Sequence, residues 1–134
     1  MRLDQTAKTY GDRVHFLCVY IKEAHPTDGS QSPSNVDDGI LYADPTTEDE
    51  RAEVAAACML RYNFSFPMVL DNMTNEVESR YFAMPERLYV LDSDGRVAWK
   101  CGLGPYFFDA AGFEAAVREQ AETATTVASR STGE

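Results

Sequence analysis

Hydrophobic and polar positions change spacing along the chain, and each change marks an element. Leu3, Ala7 and Tyr10 are spaced by four and three, the stripe of a helix that Gly11 ends. From Val14 through Phe16, Leu17, Cys18, Val19, Tyr20 and Ile21 the apolar residues run without alternation. That predicts a strand over 14–21 buried on both faces, as in the middle of a parallel sheet. Pro26 to Asn35 is rich in Pro, Gly, Ser and Asn and reads as a long loop. Thr47 with Glu50 fits a capping box, and the acidic cluster Glu48-Asp49-Glu50 suits the positive end of a helix that runs to Tyr62. Its small side, Val54, Ala57 and Cys58, suits close packing on a sheet. Pro67 to Asp71 is a second short strand, which completes a parallel βαβ unit. A further helix opens near Glu76, with Val77, Tyr81 and Phe82 as its apolar side and Asp71 and Asn75 to satisfy its start. Leu88–Leu91 and Arg96–Lys100 flank Asp92-Ser93-Asp94-Gly95, a hairpin pattern. Asp109 caps a last helix with Phe113, Ala116, Val117 and Gln120 on one face. From Ala121 the Thr-, Ser- and Gly-containing composition predicts a disordered tail over 121–134, leaving one domain over 1–120.

At 134 residues, 44% hydrophobic, the chain is long enough to bury a real core. Lys and Arg total 12 against 22 Asp and Glu, a formal charge of -10. Such a surface repels phosphate backbones and anionic lipid, which argues against nucleic acid as a partner. No apolar run approaches the roughly 20 residues of a membrane span, and Met1 to Thr6 lacks a signal-peptide core. The expectation is a cytoplasmic protein with no membrane contact. Cys18, Cys58 and Cys101 are widely spaced, with no C-x-x-C pair, so neither a disulfide framework nor a dithiol motif is visible. Cys18 and Cys58 read as small core residues.

Candidate chemistry lies where the first strand stops and delivers Glu23 and His25, one residue apart. The carboxyl ends of buried strands in α/β sheets are where ligands and catalytic groups gather. There a carboxylate can set the tautomer and charge of an imidazole, giving an acid/base pair. The ordinary alternative is a strand end with two solvated polar residues. A metal site with His15 is excluded by reach: His15 stands ten residues from His25, at about 3.3 Å per strand residue.

The order helix–β–α–β–α–β–β–α resembles a thioredoxin-like α/β fold, a mixed sheet flanked by helices. Four stretches are similar to those of the iodothyronine deiodinase family. Tyr20-Ile21-Lys22-Glu23-Ala24-His25, with Asp28-Gly29 behind it, resembles Y-I-x-E-A-H-x-x-D-G. Val69-Leu70-Asp71-Asn72-Met73-Thr74-Asn75 resembles V-x-D-x-M-x-N. Pro85-Glu86-Arg87-Leu88-Tyr89-Val90 matches P-E-R-L-Y-V, and Lys100-Cys101-Gly102-Leu103-Gly104-Pro105 resembles K-G-G-x-G-P. The similarity spans roughly residues 12 to 118. The Asp44-Pro45 helix start, the Asp92-Ser93-Asp94-Gly95 hairpin and the lack of vertebrate-type extensions resemble the bacterial deiodinase-like branch.

The resemblance implies reductive dehalogenation of iodinated phenols: a selenocysteine or cysteine takes up iodine, and a thiol reductant regenerates it. No bound cofactor or metal is implied. Glu23 and His25 carry over as the proton network, Tyr20 as a residue near the substrate, and Pro85 as a cis-proline facing the site. Leu103 stands where some members place a basic residue against the substrate carboxylate. The family's nucleophile lies in a loop after a first central strand, upstream of the E-A-H strand. The expectation is therefore an N-terminally truncated fold, missing that strand and the nucleophile, inactive as given. Two alternatives use the same fold. One is a thiol peroxidase or disulfide reductase. The other is a non-catalytic binding module with Tyr20, Tyr81, Tyr106, Phe107 and Phe108 as an aromatic pocket for a phenolic ligand. Exposed strand edges invite pairing, which adds a homodimer to the expected partners.

Overall fold

The structure is a computed structural model, and it describes residues 2–22 and 45–132. The chain divides into two compact units. One comprises residues 1–17, 65–67 and 86–134; the other comprises 18–64 and 68–85.

The first unit opens with helix α1, Arg2–Tyr10. Gly11 follows, where a Cβ would lie 2.7 Å from the Ala7 carbonyl oxygen. The close approach of main chain to main chain explains why a residue without a side chain ends this helix. The same unit holds the hairpin strands β3, Tyr89–Leu91, and β4, Val97–Lys100, and the long helix α4, Ala110–Thr132. The hairpin is antiparallel, with a bulge between the Val90–Trp99 and Leu91–Val97 pairs. Its turn forms as the Asp-Gly pattern predicts. Gly95 takes φ +82°, and the Asp92 carboxylate accepts from the N–H groups of Asp94 and Arg96 at 2.9 and 3.0 Å.

Val90, Phe113 and Val117 form the buried centre of this unit, with Leu3, Tyr10, Phe16, Leu88 and Trp99 packed around them. Phe16 meets Phe113 edge-on at 6.3 Å and Phe66 at the same distance. Burial at Phe113, Val117 and Ala121 marks one face of α4. The backbone stays helical through Thr132, beyond Ala121, where composition alone predicts loss of order. An anchored helix propagates more readily than it nucleates, and the Ala-rich continuation follows the packed first turns. Asp4, on α1, is buried, and both its acceptor bonds from Ser65, through N–H and Oγ, are 2.6 Å.

The second unit is the βαβ element. Strand β1, Cys18–Tyr20, pairs in parallel with β2, Met68–Leu70, and helix α2, Glu48–Tyr62, connects them in sequence. Thr47 caps α2, its hydroxyl accepting from Glu50 N–H at 3.1 Å. The returning Glu50 carboxylate is held chiefly by Thr46, whose N–H and Oγ donate to it at 2.8 and 3.0 Å. The short helix α3, Glu76–Tyr81, follows β2.

Three expectations change. The strand predicted over 14–21 forms only at 18–20, because β2 supplies three partners and Phe16 is drawn into the aromatic core around Phe113. β1 is half-buried along its length, not covered on both faces. The apolar side expected for the third helix is exposed: Tyr81 and Phe82 are 38% and 68% accessible, and no residue of α3 is buried. The fold class stands as α/β, with the described strands in one parallel pair and one antiparallel pair.

Candidate functional site

The four stretches singled out in the sequence fall into two joined pairs, one in each unit. In the second unit Tyr20 lies opposite Leu70, and the N–H of Asp71 donates to the Tyr20 carbonyl at 2.9 Å. Tyr20 and Asp71 therefore stand side by side at the carboxyl ends of the two strands. In the first unit Cys101 N–H donates to the Leu88 carbonyl at 3.2 Å, and Gly104 N–H donates to the Glu86 carbonyl at 3.0 Å. Arg87 adds its Nε–H to the Cys101 carbonyl at 2.8 Å, and Leu88 N–H reaches the Cys101 sulfur at 3.3 Å. Gly104 is buried, and a Cβ there would run into the Glu86 side chain.

The structure describes three of the five residues expected at the site. Tyr20 is half-buried at the carboxyl end of β1. Pro85 is exposed, and the Met84–Pro85 bond is cis, as the resemblance implies; the Gly104–Pro105 bond is cis as well. Leu103 is half-buried in the other unit, in the turn that Phe107 N–H closes onto its carbonyl at 3.0 Å. Glu23 and His25 lie outside the described residues, as does Asp28-Gly29. Of the aromatic residues proposed as a pocket, Tyr106 and Phe107 are 92% and 69% accessible, so these two side chains line no enclosed space. Two shallow depressions, of about 290 and 230 Å³, lie beside Trp99 and Gly112 and beside His15 and Phe66; neither is lined by Tyr20, Pro85 or Leu103.

The residues after β2 are shaped by their own hydrogen bonds. Asp71 is 2% exposed, and its carboxylate accepts from Asn72 N–H, Val77 N–H and Glu78 N–H at 2.9, 3.0 and 2.9 Å. Asn72 Oδ1 accepts from Glu76 N–H at 2.9 Å, and Ser79 N–H donates to the Asn75 carbonyl at 3.0 Å. The four N–H groups that open α3 are thus all satisfied locally, as a helix start requires. Asp71 has the capping role expected of it. Asn75 does not: its side chain makes no capping bond to α3, and its Oδ1 instead accepts from Arg51 Nη2 at 2.9 Å. Asn72 and Arg51 were missed by sequence reasoning. Arg51 carried no readable signal, because its acceptors lie 20 and more residues away in sequence.

Arg51 is 2% exposed. Its Nη1 donates to the main-chain carbonyls of Asp71 and Asn72 at 3.1 and 2.8 Å. Among the described residues its Nε has no hydrogen-bond partner. Among the described residues no group of three His, Cys, Asp or Glu side chains is placed to hold a metal ion, and no helix is long and apolar enough to cross a membrane.

A parallel βαβ element in one unit and an antiparallel hairpin with a helix packed on it in the other make an α/β protein, of the thioredoxin-like class that the family has. The family model for iodothyronine deiodinase matches residues 2–121. The chain is 35% identical over 91 residues to the type I iodothyronine deiodinase of Xenopus laevis, covering 68% of this chain and 34% of that protein. It is 38% identical over 100 residues to the thyroxine 5-deiodinases of Ovis aries and Bos taurus, covering 72% of this chain and 31% and 30% of theirs. The chain belongs to the iodothyronine deiodinase family. It spans about a third of the length of these curated relatives.

Proposed function

We propose that this chain is the part of a deiodinase-like oxidoreductase that handles protons and shapes the substrate site. The whole protein then removes iodine reductively from an iodinated phenol. The observation that carries this reading is the hydrogen bond from Asp71 N–H to the Tyr20 carbonyl. It aligns two of the family's stretches at the carboxyl end of one parallel strand pair, directly before Glu23 and His25 in sequence. Glu23 holds His25 in its charged, donating form, and His25 delivers the proton to the ring carbon as the carbon–iodine bond breaks. Tyr20 and Pro85 contribute to the substrate site.

The nucleophile comes from outside these 134 residues. A dehalogenating thiol or selenol acts as the anion. Burial pushes the Cys18 thiol above its ordinary range, and the neighbouring Cys58 adds to the shift. Cys101 is buried, with its sulfur accepting from Leu88 N–H. A selenocysteine or cysteine upstream takes up iodine as a selenenyl or sulfenyl iodide. Two equivalents of a small thiol, or one dithiol, then reduce it, releasing iodide and a proton, returning the free selenol or thiol and leaving a disulfide as the oxidised product. The setting that suits a thiol reductant is the cytoplasm.

Iodide release from an iodinated phenol, with a dithiol as reductant, tests the reading on the protein translated in its native source. Expected is iodide release that Glu23→Gln and His25→Ala each abolish. Consumption of hydrogen peroxide without iodide release would replace this reading with a thiol peroxidase.

A further inference from the structure

In a βαβ unit the helix runs back against the two strands. The bonds of Arg51 set how far along β2 the helix α2 lies, because Arg51, in its first turns, holds the carbonyls of Asp71 and Asn72 just past the end of β2. Seven residues further along α2, a rise of about 10 Å, stands Cys58. Three residues back from Asp71, again about 10 Å, stands Met68. Met68 is the parallel partner of Cys18. The helix therefore brings Cys58 level with Cys18. It also turns the right face: Arg51 and Ala55 are buried, and Cys58 follows them at spacings of four and three.

Both sulfurs are thiols, and both residues are half-buried, so neither is sealed in the core. The two groups also feel each other. Burial, and after it the charge of Cys58, push the Cys18 thiol above its ordinary range. Cys101 belongs to the other unit and is buried. We infer that Cys18 and Cys58 form a reversible dithiol–disulfide site, oxidised by small disulfides, that ties β1 to α2. This site is independent of the dehalogenase reading, which takes its nucleophile from elsewhere.

The chemistry is two successive exchanges. Cys58 is the entry thiol, because the Cys18 thiolate is disfavoured and a thiolate is the attacking species. The Cys58 thiolate attacks one sulfur of the small disulfide; a Cys58 mixed disulfide forms and one small thiolate leaves. Cys18 then gives up its proton and attacks the Cys58 sulfur, and the second small thiolate leaves. The protein loses two electrons and two protons, and the small disulfide becomes two thiols. A small dithiol reverses both steps.

The test incubates the folded full chain with glutathione disulfide, traps remaining thiols by alkylation after acid quenching, and maps the peptides by mass. Expected is a chain lighter by two hydrogens, with the Cys18 and Cys58 peptides joined, Cys101 alkylated, and full reversal by dithiothreitol. Cys18→Ser is expected to stop at one glutathione on Cys58, and Cys58→Ser to stay reduced where the wild type is oxidised. The wild-type peptide map carries the test even where a serine variant does not fold. Glutathione on either cysteine of the wild type without a joined pair overturns the proposal. A Cys18–Cys58 link that forms only in urea, or a link to Cys101 in its place, overturns it as well.

Discussion

Arg51 Nη1 donates to the main-chain carbonyl of Asp71 at 3.1 Å, across 20 residues of sequence and within the buried part of the βαβ unit. Arg51→Met keeps most of the side-chain volume and takes the guanidinium donor from the Asp71 carbonyl and the Asn75 amide oxygen, while the Asn72 carbonyl keeps its bond from Asn75 N–H. Each acceptor left without a partner costs about 1 kcal/mol or more, while removing a desolvated charge gives some of that back. The expected net loss is about 1 kcal/mol. Urea denaturation checks it, and an unchanged midpoint would show that these bonds carry no stability.

The acid side of the stability profile depends on Asp4. Its pKa is lowered to about 2, first by the Ser65 hydroxyl, then by the Ser65 N–H, against the opposing effect of burial, with Lys8 at 3.1 Å adding to the lowering. An unfolded aspartate titrates near 3.9, at roughly the model-peptide value. The native state therefore binds fewer protons between these values, and the stabilisation is present above about pH 4 and lost as pH falls toward 2. Melting curves of the wild type and Asp4→Ala should differ by a constant amount at neutral pH and converge in acid. A gap that persists unchanged to pH 2 would contradict this.

Thr47 begins α2 with a side-chain cap to Glu50 N–H. Thr47→Ala removes that acceptor, and loss of a cap costs about 1 kcal/mol. Thr47→Ser keeps the hydroxyl and should restore nearly all of it. Equal stability of the alanine and serine variants, measured by chemical denaturation, would rule the cap out as a contributor.

Gly112 sets two effects of opposite sign against each other. Alanine in a helix is favoured over glycine by roughly 1 kcal/mol. A Cβ at Gly112 would lie 2.8 Å from Trp99 Cζ2 and would also meet the Asp109 carboxylate, which caps α4 through Gly112 N–H. The carboxylate can rotate; the indole, packed on Phe113 at 6.2 Å between ring centroids, cannot without disturbing the core. Overpacking of this kind costs about 1–3 kcal/mol, so Gly112→Ala should be destabilising overall. Emission from Trp99, the single tryptophan, reports the displacement. A gain in stability with unshifted emission would show that the crowding is relieved elsewhere.

Local chemistry made much of the fold readable. Thr47 and Asp92 act on N–H groups within four residues of themselves, so their roles follow from spacing. The parallel pairing of β1 with β2 also followed from the pattern, because a helix of this length between two short apolar runs leaves few other connections. The length of β1 did not. Phe16 belongs to an apolar run in sequence, yet it packs on Phe66 and Phe113, residues far along the chain. Burial of Arg51 was hidden for the same reason: its acceptors lie 20 and more residues away, and a charged residue near a helix start ordinarily faces water. At the site, Glu23 and His25 were named from a pattern of residues and Asp71 from its place before a helix start, while the bonds of Asn72 and of the Asn75 side chain show only in the structure.

The most direct measurement is the intact mass and selenium content of the protein isolated from its own source, read together with iodide release by the same material. The predicted result is a species heavier than the 14.9 kDa of this chain, carrying selenium or an additional cysteine and releasing iodide. A species of 14.9 kDa that releases iodide would place the nucleophile among Cys18, Cys58 and Cys101 and contradict the proposal that it lies outside these residues. A heavier species that releases none would contradict the dehalogenase reading itself.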